Sequence, residues 1–158
     1  MVCNIGLLKG MFEGVREGEV EEVQRCMEGY VRDIVEVTEG CMGRIVKCII
    51  ETGALEGEEI VAAALLFNEA RRRVKEDGGE GPHFIKTSTG FNGFGGAKVG
   101  DVEVMARIVR PGGGKVKASG GVGDLEQAKR IVEAGAERIG ASKGVRIVEG
   151  REGGGGGY

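Results

Sequence analysis

Residues 83–90 read His83-Phe84-Ile85-Lys86-Thr87-Ser88-Thr89-Gly90. In an extended strand successive side chains point to opposite faces, so Phe84 and Lys86 share one face and Ile85 and Thr87 the other. For an arbitrary lysine a solvated strand-end charge is the commoner reading. Here, however, the lysine stands late in an apolar strand and directly before a Thr/Ser/Gly cluster, a costly placement unless it faces a functional cavity. The pattern recurs in Lys115-Val116-Lys117-Ala118-Ser119-Gly120-Gly121, where Lys115 and Lys117 share a face and Val116 takes the other. If the two strands are neighbours, about 4.8 Å apart, Lys86 and Lys117 project side by side. A second ammonium and partial burial disfavour protonation of the first, leaving an amine free to attack a carbonyl.

Outward from these strands, short apolar runs alternate with amphipathic stretches, which is the signature of βα units and a mainly parallel sheet. Strands are predicted at residues 1–5, 44–51, 83–87, 115–118 and 138–141. The second is apolar throughout Cys48, Ile49 and Ile50, as expected of a strand covered on both faces. Helices are predicted over 20–37, 58–75, 100–109 and 124–134. Their buried stripes would be Val20, Val23, Met27, Val31, Ile34 and Val35 in the first, Val102, Met105, Ala106 and Val109 in the third, and Leu125, Ala128, Ile131 and Val132 in the fourth. Residues 77–82, Asp-Gly-Gly-Glu-Gly-Pro, read as a loop. Residues 145–148 read as a short helical or extended piece, and the glycine run at 153–157 as a flexible tail.

Glycine is unusually common, 32 of 158 residues, against about 7% in an average protein. There is no collagen period, and outside the tail the glycines cluster after the predicted strands: Gly6, Gly53, Gly90 with Gly93, Gly95 and Gly96, Gly120 with Gly121, and Gly140. One such glycine would only make a tight turn. Five strand ends in succession suggest backbone N–H groups brought close to a phosphate at the carboxyl ends of the strands. There is no P-loop.

The net charge of −3 gives no overall basic field for nucleic acid or an anionic membrane. The four cysteines form no C-x-x-C pair, and the single histidine, His83, cannot complete a zinc set, so no metal is expected and reduced thiols are. His83 itself reads as a surface residue. With no run long enough to span a membrane and no signal pattern, a soluble cytoplasmic protein is expected.

These residues resemble the deoxyribose-phosphate aldolases, class I aldolases built on a TIM barrel. Phe84-Ile85-Lys86-Thr87-Ser88-Thr89-Gly90-Phe91 matches the family's Schiff-base motif at all eight positions, and Val116-Lys117-Ala118-Ser119-Gly120-Gly121-Val122 that of its second lysine. Arg138-Ile139-Gly140-Ala141-Ser142 is similar to the last barrel strand, Ile49-Ile50-Glu51-Thr52 to the fifth, and Asn4-Ile5-Gly6 to the end of the fourth. The resemblance implies an α/β fold, a partial (β/α)8 barrel of about five parallel strands over residues 1–149, with 150–158 as tail. It implies cleavage of 2-deoxy-D-ribose 5-phosphate to D-glyceraldehyde 3-phosphate and acetaldehyde, without cofactor or metal. Lys86 would form the Schiff base, and Lys117 would lower its pKa and assist proton movement. Gly90, Gly120, Gly121, Gly140 and Ser142 would hold the substrate phosphate.

The chain departs from the pattern in three places. Val122-Gly123-Asp124 stands where the family has a hydrophobic residue and then Arg-Thr, and Asp124 is expected to cap the next helix instead. The connection over 71–82 is longer than usual and reads as a surface insertion. The family's proton-relay aspartate would precede Met1, together with three βα units. A part-barrel would leave two open sheet edges and an exposed apolar face, a route to a homo-oligomer. The alternative function is a shortened, non-catalytic phosphosugar-binding paralogue.

Overall fold

Strand alternation produces a sheet with two unlike faces, and everything else in the fold follows from covering one of them. In the computed structural model, which describes residues 1–91 and 93–150, four strands lie parallel in the order β1-β2-β3-β4: Lys47–Ile49, Phe84–Lys86, Lys115–Ser119 and Arg138–Gly140. Six helices accompany them: α1 Ile5–Glu17, α2 Val20–Gly40, α3 Gly57–Glu76, α4 Val99–Val109, α5 Leu125–Glu133 and α6 Gly144–Val148. Alternating helices and parallel strands make this an α/β fold.

One sheet face carries Cys48, Ile50, Ile85, Val116 and Ala118, all buried. Against them pack Tyr30 and Ile34 of α2, Ala63, Ala64, Phe67 and Ala70 of α3, Val102, Met105 and Val109 of α4, and Ile131 of α5 in one apolar cluster. The run of alanines brings α3 close to the strands, and Phe67, fully buried, fills the space they leave.

Below the sheet, at the amino ends of the strands, Arg71 of α3 is buried. Its guanidinium donates to the carbonyls of Pro82, Gly112 and Gly113, joining the connections before β2 and β3. The longer connection is thus partly tied to the core: α3 runs on to Glu76, and the loop begins at Asp77. His83 is half-buried, not a surface residue, because its Nδ1 accepts a hydrogen bond from Val46 N at 3.3 Å.

Several sequence expectations need correction. Residues 1–5 do not form a fifth full strand. Val2 makes one parallel bridge to Ile49, flanked by Cys3 N–H to Ile49 O and Ile49 N–H to Met1 O, and α1 begins at Ile5. That helix was not predicted, because Gly6, Gly10 and Gly14 lower its propensity. Two of these glycines serve its packing: a Cβ on Gly10 would meet Cys26 Sγ at 3.1 Å, and one on Gly14 would meet Val23 at 3.1 Å, so they let α1 lie close on α2. Asn4 caps α1 by accepting from Leu7 N at 3.3 Å. Gly6 therefore belongs to a helix and not to a loop after a strand.

The buried stripe of α2 is Cys26, Tyr30, Val31, Ile34 and Thr38, whereas Val20 and Met27 are exposed; packing on both α1 and α3 rotates the helix from the face chosen by valine spacing. In α5 Ala128 and Ile131 are buried but Val132 is exposed. The 145–148 piece is helical, as α6. The tail expected at 150–158 lies, from residue 151, outside the described residues.

The second sheet face is the larger correction. It is not apolar. Lys47, Ile49, Phe84, Lys86, Lys115, Lys117 and Arg138 lie on it by strand alternation, and β1 is covered by helices on one side only. The buried Phe84 ring is roofed by Arg138, with Cζ 4.8 Å from the centroid, and by Lys115 Nζ at 6.0 Å, a cation–π arrangement.

Candidate active site

The register brings the two sequence-predicted lysines together: Lys86 of β2 and Lys117 of β3 are direct lateral partners. Both are half-buried and near the carboxyl ends of their strands. Burial is the main cause that lowers the Lys86 pKa from the usual lysine range; Lys47 adds to it and Glu51 opposes it. Lys117 is also lowered, first by burial and then by the positive charges of Lys86, Lys47 and Arg138. Both amines are therefore deprotonated more readily than a solvated lysine.

The strand ends are held by side chains of the motif itself. Thr87 Oγ1 donates to Ser119 O at 3.0 Å and accepts from Ser119 N at 2.9 Å, and Ser88 Oγ donates to the same carbonyl at 3.0 Å. Thr87 points to the helix side, so the two hydroxyls clamp β2 to β3 just beyond the lysine pair. This accounts for the hydroxyl-rich sequence after Lys86: an apolar residue at 87 would leave the Ser119 N–H without its acceptor at a buried position.

Beyond the clamp lie the glycine loops. Gly90, Gly120 and Gly121 have left-handed φ of 88°, 84° and 73°, which only glycine adopts freely. A Cβ on Gly120 would meet Ser88 Oγ at 2.8 Å, Gly96 Cα at 3.0 Å and Gly90 Cα at 3.9 Å, so the loops after β2 and β3 touch. Ala97 N–H donates to Gly120 O at 3.0 Å, and a Cβ on Gly96 would run into the Gly120 carbonyl.

Gly140 sits on the other side of the second lysine: a Cβ there would lie 2.5 Å from Ser119 Oγ and 3.4 Å from Lys117 Nζ. Its missing side chain makes room for Lys117. Ser142 is exposed in the turn after β4, two residues beyond Gly140. The structure thus joins Lys86 to Lys117, Gly90 to Gly120, Gly121 to Gly96, and Gly140 to Lys117, and places Ser142 at the outer edge. Asp124 caps α5, accepting from Gln127 N at 2.7 Å, as the sequence reading expects.

Two polar residues of this site were not singled out from sequence. Ser119 Oγ is buried and without a hydrogen-bond partner, on the face of Lys117. Glu51, just past β1, is buried in a left-handed backbone with φ 59°, a conformation costing on the order of 1–3 kcal/mol for a residue with a side chain. Its carboxylate accepts from Thr89 N at 2.8 Å. Alternation alone would have put Glu51 on the lysine face. Its backbone strain carries no sequence signal.

The arrangement is that of an amine with a lowered pKa beside a second such amine, next to a glycine-built rim. Among the described residues no group of three His, Cys, Asp or Glu side chains could hold a metal ion, and no helix is long and apolar enough to cross a membrane.

No family model matches the chain. A deoxyribose-phosphate aldolase of Thermococcus gammatolerans is 46% identical over 150 residues, which is 95% of this chain and 56% of that protein. A solved structure from Coccidioides immitis, described as a candidate deoxyribose-phosphate aldolase, superposes with a TM-score of 0.74 at 34% identity, over 94% of this chain and 50% of that one. The tetrameric deoxyribose phosphate aldolase of Aeropyrum pernix has the same fold, with a TM-score of 0.62 at 22% identity over 92% of this chain and 73% of that one. The chain spans about half the length of the Thermococcus and Coccidioides proteins.

Proposed function

We propose, because this chain belongs to the deoxyribose-phosphate aldolase family over the segment it spans, that it works as a class I aldolase on 2-deoxy-D-ribose 5-phosphate. The observation that carries the reading is the lateral pairing of Lys86, the last residue of β2, with Lys117 of β3. Phosphate binding alone would favour fully charged lysines and gives no reason for the burial that lowers the pKa of both.

In this reading the neutral Lys86 amine adds to the aldehyde carbon of the open-chain sugar, and loss of water gives a protonated imine. The C–C bond between the second and third carbons then breaks as a proton leaves the third-carbon hydroxyl. The bonding pair moves toward the iminium nitrogen, D-glyceraldehyde 3-phosphate departs, and an enamine remains. Protonation of the enamine carbon and addition of water release acetaldehyde and restore Lys86. The imine nitrogen is itself the electron sink, so the chemistry needs no cofactor or metal. Lys117, held beside Lys86, keeps the amine deprotonated before attack and moves protons during the later steps.

Gly90, Gly120, Gly121 and Gly140 offer backbone N–H groups to the phosphate, with the Ser142 hydroxyl at the rim. This agrees with phosphate sites after the last two strands of such barrels. The cytoplasm is the proposed location, in keeping with four free cysteines and the reducing conditions there. Association into a homo-oligomer is proposed through the open edge of β4. The cationic sheet face opposes a meeting of two copies face to face, since like charges would oppose.

Incubation with 2-deoxyribose 5-phosphate and a coupled assay for released acetaldehyde tests the proposal. Turnover that disappears in Lys86→Met is expected. Saturable phosphosugar binding by folded protein with no acetaldehyde would instead identify a binding paralogue.

A further inference from the structure

Glu51 is a buried acid at the mouth of a lysine site, and no step described above uses it. It continues the run of Lys47 and Ile49 past the end of β1, and Ile49 is the register partner of Lys86. Its backbone holds φ 59° and ψ 59°, a conformation that persists in a non-glycine residue only where the surroundings impose it. It is 4% exposed, and its Oε1 accepts from Thr89 N at 2.8 Å, three residues beyond Lys86. A glycine would make the same turn without strain, and an apolar residue would be buried there without the cost of desolvating a charge. Neither could supply a negative charge.

The charges facing Lys86 are otherwise positive: Lys47 on β1 and Lys117 on β3, with Arg138 of β4 beyond Lys117. We infer that Glu51 is a positioning residue for Lys86: its carboxylate is the counter-charge that holds the Lys86 ammonium, and the iminium made from it, at the mouth of the site, while its bond to Thr89 fixes the loop that follows. The iminium half of this statement rests on the proposed aldolase reading; the counter-charge half does not.

The electrostatics agree. Burial and Lys47 push the Lys86 amine toward its neutral form and Glu51 pulls the other way. A Schiff-base lysine needs both states, neutral to attack and cationic as the imine, so a carboxylate that limits the depression preserves the electron sink.

The test is site-resolved reductive alkylation of the full chain with acetaldehyde and cyanoborohydride from about pH 6 to 10, read by peptide mass spectrometry. Glu51→Gln keeps an acceptor for Thr89 but removes the charge. The Lys86 labelling midpoint should then move to lower pH by about half to one unit, while labelling of Lys129, outside the site, stays as it was. Glu51→Asn, better suited to a left-handed backbone, should fold at least as stably and show the same shift, so the question stays open to measurement if the glutamine variant does not fold. An unmoved Lys86 midpoint in either folded variant overturns the proposal. Acetaldehyde-driven labelling does not require turnover, so a chain that fails to cleave 2-deoxyribose 5-phosphate counts against the aldolase reading while the Glu51 shift is still decided.

Discussion

The two faces of the four-stranded sheet come from the same short strands, yet they share almost no chemistry. On one face Cys48, Ile50, Ile85, Val116 and Ala118 are buried under four helices. On the other, one residue away along each strand, stand Lys47, Lys86, Lys115, Lys117 and Arg138. The first arrangement maximises removal of apolar surface from water. The second sets cations about one strand spacing apart, which a fold selected for stability alone would avoid. Apolar packing on the first face offsets the repulsion on the second, and that repulsion, with partial burial, makes Lys86 and Lys117 chemically unlike surface lysines.

The contrast can be broken from either side. The largest effect is expected on the cationic face. Lys86→Met should lower turnover of 2-deoxyribose 5-phosphate by about 10³-fold or more, since in the proposed reaction no other group forms the covalent intermediate. Its thermal unfolding should change little, because among the described residues no carboxylate lies within salt-bridge distance of the half-buried ammonium and the Glu51 counter-charge acts on it from farther off. On the covered face the reverse is expected. Phe67→Ala opens a cavity between α3 and the sheet and should cost about 3–5 kcal/mol in a urea titration. Whatever turnover remains in its folded fraction should keep the original pH profile.

At the rim, Gly96→Ala should force the loop after β2 away from Gly120, because the added methyl meets the Gly120 carbonyl. Weakened binding of inorganic phosphate, by about tenfold, with Lys86 labelling unchanged would separate phosphate holding from amine activation. The smallest effect belongs to Lys47. Removing its charge as Lys47→Met takes away one of the causes that depress the Lys86 pKa. The midpoint of Lys86 reductive labelling should therefore rise, by about half a unit, opposite in sign to the shift expected for Glu51→Gln.

The two faces also differ in how well they could be read. Residues 83–90 and 115–121 announce their strands and their lysines because the period-two pattern is short-range and the lateral pairing of Lys86 with Lys117 needs only that β2 and β3 be neighbours. Helices α3, α4 and α5 were legible within one or two residues for the same local reason. The failures all involve contacts between distant parts of the chain. α1 is hard to read because Gly10 and Gly14 lower its helix propensity, and only the closeness of α2 explains them. The α2 stripe is only partly legible: Val31 and Ile34 are buried and Val23 and Val35 pack against the core, but valine spacing carries no knowledge of two packing partners and so includes the exposed Val20 and Met27 and misses Cys26 and Tyr30. An apolar open face was expected because exposure of a part-barrel was reasoned from fold class, whereas the inward residues of these particular strands are basic. Glu51 escaped notice because neither its left-handed backbone nor its bond to Thr89 is written in residue order.

The central claim is that the cationic face makes one lysine, Lys86, a covalent catalyst. It is tested most directly by adding 2-deoxyribose 5-phosphate and borohydride to the folded chain and mapping the reduced adduct by peptide mass spectrometry. An adduct concentrated on Lys86, absent from Lys47, Lys115 and Lys117 and suppressed by competing inorganic phosphate, is the predicted result. Folded protein with no Lys86 adduct, or with the label spread evenly over the four lysines of that face, would contradict it.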